Sequence, residues 1–390
     1  MRRVGHIALL GLALVACRRA GPTTEAAPVT ACRPDAAIVT RLQSLVDSVM
    51  AARPDARGVA LHVIAPARCL DRTFVAGRAD SASGTPLAAG TPVRIASNTK
   101  SYTAAAVLRL VEDGRVALDD PIARHIASEH SALLRQGGYD PDAITVRHLL
   151  THTSGLVDHA QDDVGYLGVI IRDPARRWTR TDQLRVAVAP GKRPLGAPGA
   201  AFHYSDTGYI LLGELLERVT GQPLGSALRR LLDYPRLGLS HTWLESLEPV
   251  PAGTPPRAHQ FFAGKDTHDW SPTIDLYGGG GLVAPARDMA HFTRALYTGR
   301  VLRQPASLTL MQTNPLAAAG ARGGYGMGTM LRTVDGLPAV GHSGFWGTQV
   351  VHVPGIDVTV ATFVLQETAF RAVGALERAS VAAVRPAATP

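Results

Sequence analysis

The sequence contains very little lysine. Of the 40 lysines and arginines in the 390-residue chain, only three are lysines: Lys100, Lys192 and Lys265. The basic residues are scattered, with no run of five or more, although the formal net charge is +8. A nucleic-acid-binding surface would need a clustered basic stripe or interleaved aromatic residues. We therefore expect a solvated basic surface and no nucleic-acid partner, and each lysine becomes a candidate for a specific role.

Long apolar runs are also scarce, and the clearest one lies at the N-terminus. Arg2 and Arg3 precede the run "IALLGLALVA", Ile7 to Ala16, and Cys17 follows it. The run is shorter than the ~20 residues that a membrane-spanning helix needs. It fits a secretory signal, and its end, "LVAC", resembles the lipobox of bacterial lipoproteins. That resemblance implies cleavage before Cys17 and lipidation of its thiol. An ordinary signal peptide is the alternative.

Cysteine is rare as well, since only Cys17, Cys32 and Cys69 occur. An odd thiol in an exported protein needs an explanation. Lipidation of Cys17 would leave an even pair in an oxidising compartment, so we predict a disulfide between Cys32 and Cys69, with two free buried thiols as the alternative. Arg18, and not Asp, follows Cys17. By resemblance to enteric sorting signals this favours the periplasmic face of the outer membrane, if the organism is Gram-negative.

The rest of the composition indicates a folded body, because 46% of the residues are hydrophobic and 18% are charged. Apolar residues have helical spacing from about Asp35 to Ala52, and "GVALHVIAP" and "RTFVAGRAD" then read as two strands. Near the C-terminus, "LPAVGHSG", "TQVVHVP" and "IDVTVATFVLQ" predict three more strands, and "ETAFRAVGALERASVAAV" predicts an amphipathic helix. The last strand is apolar on both faces, which predicts a central position in the sheet.

Strands from both chain ends therefore bracket a mostly helical middle. The pattern predicts an α+β fold, with one antiparallel sheet built from both chain ends, flanked by helices and carrying a large helical insertion. The predicted organisation is a lipoprotein signal peptide at 1–16, a Pro-, Ala- and Thr-rich tether at 17–34 and a folded domain at 35–388. Within that domain, residues 35–96 and 320–388 form the α/β part, and residues 97–319 form the helical part.

Lys100 stands three residues after Ser97 in "VRIASNTKSYTAAAVLRLV", ahead of an apolar helix. Residues at i and i+3 share one helix face. A serine hydroxyl becomes an effective nucleophile when a neighbouring base takes its proton, and lysine serves as that base if its pKa is lowered. The helix N-terminus also offers N–H groups to a developing oxyanion. The alternative is that Ser97 caps the helix and Lys100 is solvated.

Two further motifs follow in the chain. "YSDTGY" contains Tyr204 and Asp206, and "GHSGFWG" contains His342, Ser343 and Gly344. The order Ser-x-x-Lys, Tyr-x-Asp, His-Ser-Gly resembles the three motifs of the penicillin-recognising serine hydrolases, and more specifically the class C β-lactamase and D-alanyl-D-alanine carboxypeptidase family. "VRHLLTHTSGL", "LGLSHTWL" and "YGGGGLVAPARDMAHF" resemble recurring segments of that family. The resemblance covers roughly residues 38–384 and implies a β-lactamase/transpeptidase-like fold.

The resemblance also implies roles for the three motifs. Ser97 would be the acylated nucleophile, and Lys100 and Tyr204 would share the acid–base work, although the sequence leaves open which of them is the base. His342 stands where the family carries the Lys of Lys-Thr-Gly. There it would shape the electric field and help to hold a substrate carboxylate.

The residues that follow His342 would bind substrate through the backbone. The resemblance places Ser343 in this substrate-binding strand, and Gly344 would let the substrate lie close to it, because a side chain would block the approach. The oxyanion hole would consist of the backbone N–H groups of Ser97 and Phe345.

Two positions depart from the family pattern. Asp206 stands where class C β-lactamases carry Asn, and a carboxylate only accepts hydrogen bonds whereas an amide also donates them. Asp206 could instead pair with Lys100, favour its charged form and shift the base role towards Tyr204. His342 is only partly charged near neutral pH and would attract a carboxylate less strongly than lysine does. Both departures weaken the expectation of β-lactamase activity.

The sequence therefore predicts an exported, lipid-anchored serine hydrolase that forms an acyl-enzyme on amide or ester carbonyls. A D-Ala-D-Ala carboxypeptidase-like or β-lactamase-like activity is expected, with a peptide, β-lactam or ester as substrate. The alternatives are a small-ester esterase of the same fold and a non-catalytic binding or scaffold lipoprotein. No metal or organic cofactor is implied. His148 and His152 have the i, i+4 spacing of a zinc pair but lack the Glu of a metalloprotease motif, and "GGGG" lacks the Lys-Ser/Thr of a phosphate loop.

Overall fold

A computed structural model describes residues 32–317 and 324–386. The residues from Arg33 onward belong to one compact unit. The predicted signal peptide, Cys17 and most of the tether lie outside the described residues. Cys32 and Cys69 are both disulfide-bonded, and their pairing with each other stays a prediction. Among the helices of the described part of the chain, none has the length and apolar character needed to cross a membrane.

The helices in the described ranges are, in chain order, α1 (Ala36–Ala52), α2 (Thr99–Glu112), α3 (Ser128–Gln136), α4 (Val146–Leu150), α5 (Val164–Arg172), α6 (Arg180–Ala187), α7 (Asp206–Thr220), α8 (Leu224–Leu231), α9 (Tyr234–Leu237), α10 (Ala286–Tyr297), α11 (Pro305–Met311) and α12 (Phe370–Val384). The strands are β1 (Gly58–Ala65), β2 (Leu70–Gly77), β3 (Val93–Arg94), β4 (Trp243–Leu244), β5 (Phe261–Phe262), β6 (Lys265–Asp266), β7 (Leu282–Ala284), β8 (Gly324–Tyr325), β9 (Met330–Val334), β10 (Leu337–Gly344), β11 (Thr348–Val353) and β12 (Val358–Val364).

The main sheet joins both ends of the chain, as the sequence predicted. It is antiparallel with the strand order β2-β1-β12-β11-β10-β9-β8. Every residue of β12 is buried, which fits the predicted central strand covered on both faces. The strands β8 and β9 were not predicted. They lie at the edge of the sheet and β9 is mostly half-buried, so they lack the apolar pattern that marks the inner strands.

The two faces of the sheet are covered by different helices. Alternate side chains of β1, Val59, Leu61 and Val63, belong to a core cluster with residues of α1 and α12. Ala60 and Ile64 point to the other face and join the core that contains α2 and α10. The sequence predicted a sheet flanked by helices, with a large helical insertion. The structure adds α10, which lies in the range predicted as helical insertion yet packs against β1, β11 and β12.

Candidate active site

Ser97 lies in a one-turn 3-10 helix, Ala96–Asn98, that leads into α2. Ala96 has φ +47°, in the left-handed region that non-glycine residues rarely occupy. The Asn98 amide donates to the Ile95 carbonyl and to Thr348 Oγ1, both at 2.8 Å, which ties the turn to β11. Neither this turn nor α2 carries a side-chain cap. The interpretation of Ser97 as a helix cap is therefore wrong, and its hydroxyl lines a cavity instead.

The Lys100 ammonium is completely buried one helical turn from Ser97. It donates to Ser97 Oγ at 3.1 Å, to the Gly279 carbonyl at 2.7 Å and to the Asp206 carboxylate. These three acceptors match the three protons of an ammonium group. Burial lowers the pKa of Lys100, but Asp206 and Tyr204 raise it by more, so the net pKa is above its ordinary value. The Lys100–Asp206 pair considered from the sequence is present, and it keeps Lys100 charged.

The Tyr204 hydroxyl interacts with both Ser97 and Lys100. Its ring centroid lies 4.9 Å from Lys100 Nζ. Burial raises the pKa of Tyr204, the Lys100 charge opposes that rise and Asp206 adds to it, so the net pKa stays above the ordinary value. In the resting site Tyr204 is therefore neutral and Lys100 is charged. This pair could accept a proton from Ser97 only in a form that has lost one proton.

His152 packs against the Tyr204 ring, a contact that the sequence did not indicate. Its ring centroid lies 4.3 Å from that of Tyr204, and its Nδ1 accepts the Ser205 backbone N–H at 3.0 Å. Burial lowers the pKa of His152 well below its usual value, and the Lys100 charge lowers it further. The imidazole is therefore neutral and acts as a positioning group. The signal in the sequence was its place in "LLTHTSGL", but nothing local indicated contact with Tyr204.

The structure corrects the role predicted for His342. Its side chain is fully buried and is absent from the described lining of the cavity. The Nδ1 atom lies 2.7 Å from the Ser343 carbonyl, which can only accept, so Nδ1 carries the proton and Nε2 accepts from the Tyr325 hydroxyl at 2.9 Å. Burial, with a contribution from Lys100, lowers the pKa of His342 to about 3. A neutral, buried imidazole cannot hold a substrate carboxylate.

The reason for Gly344 also differs from the prediction. A Cβ atom at Gly344 would lie 2.3 Å from the Ile95 carbonyl oxygen and 2.5 Å from Thr348 Oγ1. The glycine is therefore required by close packing of β10 against the turn that holds Ser97, and not only by access for substrate. This packing fixes the distance between the nucleophile and β10.

The predicted oxyanion donors face the same cavity. Ser343 and Phe345 line it together with Ser97, and the Phe345 side chain is 53% exposed. Within the described residues, no protein acceptor takes the backbone N–H of Ser97 or of Phe345. Both N–H groups are therefore available to an oxyanion, as the oxyanion-hole prediction requires.

The glycine segment Gly278–Gly281 forms a tight loop along the cavity, between two carboxylates. A Cβ at Gly279 would lie 3.2 Å from Asp206 Oδ1, and one at Gly280 would lie 1.9 Å from Asp275 Oδ1. The Gly279 carbonyl is also an acceptor of Lys100. Glycine at these positions lets the loop pass between the two acidic side chains and still reach the ammonium.

The cavity beside Ser97 has a volume of about 730 Å³ and is largely apolar. Its apolar side chains include Tyr166, Leu167, Ile170, Ile210, Trp270, Ile274, Leu276, Met330, Phe345, Trp346 and Phe370. The charged residues among its described lining are Asp206, Asp275 and Glu367, with no lysine or arginine. Such a cavity suits an apolar group and disfavours an anion.

Asp275 differs from the other cavity carboxylates because it has no hydrogen-bond or ion-pair partner within the described parts of the chain. Burial, with a contribution from Asp206, raises the pKa of Asp275 to about 6. Burial and Asp206 likewise raise the pKa of the nearby Asp158 to about 7. Sequence reasoning missed both residues, because neither stands in one of the three motifs.

Comparisons with known proteins identify the family and the fold of the chain. The sequence model of the family described as Beta-lactamase matches residues 43–383. The chain is 38% identical over 178 residues to esterase EstB of Burkholderia gladioli, which covers 44% of this chain and 43% of the esterase. It is 26% identical over 239 residues to the putative penicillin-binding protein PbpX of Bacillus subtilis (strain 168), which covers 60% of this chain and 52% of that protein. The matched region thus spans about half the length of these relatives.

Solved structures share the fold over most of the chain. A D-stereospecific amidohydrolase from Streptomyces sp. superimposes with a TM-score of 0.71 at 26% identity, over 86% of this chain and 95% of that chain. The D-amino acid amidase from Ochrobactrum anthropi SV3 complexed with L-phenylalanine gives a TM-score of 0.72 at 25% identity, over 88% and 98%. The predicted β-lactamase/transpeptidase-like fold is confirmed.

Proposed function

Because the chain belongs to the β-lactamase family of serine hydrolases, we propose that it hydrolyses uncharged or cationic esters and amides through an acyl-enzyme on Ser97. The charge of the cavity is the observation that carries this proposal. Asp206, Asp275 and Glu367 line it without a lysine or arginine among its described lining residues. A substrate carboxylate would find no free cation there, since His342 is neutral and the Lys100 ammonium already has three acceptors.

Acylation would begin from the form in which the Tyr204–Lys100 pair has lost one proton. Because Asp206 favours charged Lys100, that form is a Tyr204 phenolate held beside the ammonium. Ser97 Oγ attacks the substrate carbonyl carbon and gives its proton to the phenolate. The carbonyl oxygen becomes an oxyanion and accepts the N–H groups of Ser97 and Phe345.

Collapse of the tetrahedral intermediate would expel the alcohol or amine. The leaving group takes the proton from the Tyr204 hydroxyl, which restores the phenolate and leaves an ester on Ser97. Water then attacks this ester and gives a proton to Tyr204. Ser97 Oγ leaves with that proton, and the carboxylic acid product is released. The same two residues thus serve both half-reactions.

The apolar walls support a substrate with an aromatic or aliphatic group. Trp270 and Trp346 are almost fully buried in the wall of the cavity, while Phe345 stays half exposed at it. Burial of an aromatic side chain against such a wall is worth several kcal/mol at most, at about 25 cal/mol per Å². The names of two relatives, an esterase and a D-amino acid amidase, agree with this substrate class.

A matched substrate panel tests the proposal. We expect p-nitrophenyl butyrate and D-phenylalanine amide to be hydrolysed faster than nitrocefin and a D-Ala-D-Ala peptide, both of which carry a carboxylate. Intact-mass analysis with a fluorophosphonate probe should show one adduct, located on Ser97, and Ser97→Ala is the control. Turnover of the carboxylate substrates alone would favour the carboxypeptidase or β-lactamase activity expected from the motifs. No turnover of any substrate and no adduct would contradict the proposal and favour a non-catalytic binding or scaffold protein.

We also propose that the protein is exported and anchored by a lipid on Cys17, as the "LVAC" signal predicts. The disulfide-bonded state of Cys32 and Cys69 supports an oxidising compartment. Expression of the full chain in a Gram-negative host, with Cys17→Ser beside it, tests the anchor. The wild-type protein should sediment with outer membranes and the variant should be released. Equal sedimentation of both would contradict the lipidation.

A further inference from the structure

A second group of chemically reactive side chains lies where β1, β2 and α10 meet. His62 on β1, Asp71 on β2 and His291 on α10 each offer one ligand atom, and these atoms lie within 4.8 Å of one another. None of the three is among the described lining residues of the catalytic cavity. The proposed acyl-transfer chemistry of Ser97 does not use these three side chains, so their close approach needs a separate explanation.

The separations between these atoms match those around one metal ion. Asp71 Oδ1 lies 3.0 Å from His62 Nε2 and 3.2 Å from His291 Nε2. Around a tetrahedral zinc ion with bonds of about 2.0 Å, neighbouring ligand atoms are about 3.3 Å apart. Two histidine nitrogens and one carboxylate oxygen are also donors that zinc commonly takes.

The buried His62 ring supplies an independent observation. Its residue is only 1% exposed, and its Nδ1 lies 2.7 Å from Oγ1 of Thr73, its cross-strand partner on β2. Its Nε2 has no hydrogen bond of acceptable geometry within the described residues, although Asp71 is close by. If Nδ1–H donates to Thr73, Nε2 turns its lone pair towards a carboxylate oxygen. In that tautomer the two lone pairs repel each other unless a proton or a metal ion lies between the two atoms.

From this geometry we propose that His62, Asp71 and His291 bind one divalent cation of the zinc class, with water in the remaining coordination position. The Thr73 hydroxyl would orient the His62 ring, in the way that carboxylates, backbone carbonyls and water orient metal-bound histidines in general. The Asp71 side chain is 51% exposed, which leaves an entry path for the ion. The bound ion would join α10 to β1 and β2 and stabilise the outer end of the sheet.

Metal analysis of the full chain tests the site. The protein is purified without a polyhistidine tag, stripped with a chelator, mixed with ZnCl₂ and desalted. Elemental analysis should then find one zinc per chain, and zinc should raise Tm by a few degrees. His291→Gln and Asp71→Asn should reduce the zinc content to the background level and abolish the rise in Tm. These two side chains reach solvent, so both variants should fold, and circular dichroism checks that they do.

A matched control uses the other histidine–aspartate group on the surface. His259 Nδ1 lies 2.6 Å from Asp266 Oδ2, and the His268 ring stacks on His259 at 3.9 Å. His259→Gln should therefore keep one zinc per chain. A wild-type protein that binds no zinc would leave only a hydrogen-bonded His–Asp–His group and overturn the proposal. So would full zinc content in His291→Gln and Asp71→Asn, or its loss in His259→Gln.

Discussion

Two buried cations lie on either side of Ser97, six residues apart, and they behave differently. The Arg94 guanidinium donates to Glu245 at 2.7 Å and to the carbonyls of Thr267 at 3.1 Å and Trp270 at 2.8 Å. The Lys100 ammonium donates to Asp206, to a carbonyl and to the Ser97 hydroxyl. Both cations are buried and ion-paired, yet only one of them has the reacting group among its partners.

The difference separates an ion pair that contacts Ser97 from one that does not. Arg94 contacts one carboxylate and two backbone carbonyls, and Ser97 is not among its partners. Glu245 also pairs with Arg257. These contacts join β3 to the segments that carry Glu245, Arg257, Thr267 and Trp270. Lys100 has a pKa that depends on Tyr204 and Asp206, and a change in its surroundings therefore changes the reactivity of Ser97. Burial of an ion pair alone therefore does not distinguish Lys100 from Arg94, whereas contact with the proposed nucleophile does.

The largest expected effect comes from removal of the catalytic cation. Lys100→Met should lower kcat/KM for p-nitrophenyl butyrate by about 10³-fold or more. Without the Lys100 ammonium as counter-ion, the Tyr204 phenolate that accepts the Ser97 proton is no longer stabilised. Steady-state kinetics measure the loss, with circular dichroism as a check on the fold. Activity within tenfold of the wild type would remove Lys100 from the mechanism.

Removal of the structural cation should act on stability. Arg94→Met removes one donor from each of the Thr267 and Trp270 carbonyls, of which only that of Thr267 keeps another, the Trp270 N–H, and it leaves Glu245 with one partner fewer. Loss of one partner of a buried pair costs about 3–5 kcal/mol. Urea unfolding measures this change in the free energy of unfolding. Arg147→Met is the control, since the Arg147–Asp119 pair is exposed and such pairs contribute about 0–1 kcal/mol. Equal costs for the two variants would contradict the structural role of Arg94.

Neutralising the partner of Lys100 should change the pH dependence. The negative charge of Asp206 raises the pKa of both Lys100 and Tyr204, and the reactive form of the pair has lost one proton. In Asp206→Asn the rising limb of kcat/KM should therefore move to lower pH, by roughly one to three units. A pH-stat assay measures it, with Asp142→Asn at an exposed pair as the control. An unmoved limb would show that Asp206 does not tune this pair.

The smallest expected effect concerns the charge of the substrate. Asp275 faces the cavity without a protein partner in the described residues, so its carboxylate should favour substrates with an ammonium group. In Asp275→Asn, the ratio of kcat/KM for D-phenylalanine methyl ester to that for its N-acetyl derivative should fall by about tenfold, which is about 1.4 kcal/mol. Glu129→Gln, at an exposed carboxylate, should leave the ratio unchanged. An unchanged ratio in Asp275→Asn would place the charge preference elsewhere.

The sequence by itself singled out Ser97, Lys100 and Tyr204, which the structure brings together, and it determined the outline of the fold. Ser97 and Lys100 are one helical turn apart, so their contact is local, and Tyr204 precedes an N-terminus that the apolar pattern of α7 marks clearly. The inner strands of the sheet were predictable because they are buried on both faces and are therefore apolar throughout. The contact between Ser97 and Lys100 and the apolar patterns of the strands depend on spacing along the chain, which can be read directly from the sequence.

Only the tertiary structure decided the protonation states and the supporting contacts. His342 was expected to be partly charged, but packing of β10 against Tyr325 buries it and keeps it neutral. Asp275 reaches the site from a one-turn 3-10 helix and His152 from a loop, and no local pattern specifies where either segment lies. His62, Asp71 and His291 come together across more than 220 residues of chain. Desolvation and long-range contacts set the pKa of a group and the charge of a cavity, and both depend on what the fold places around each side chain.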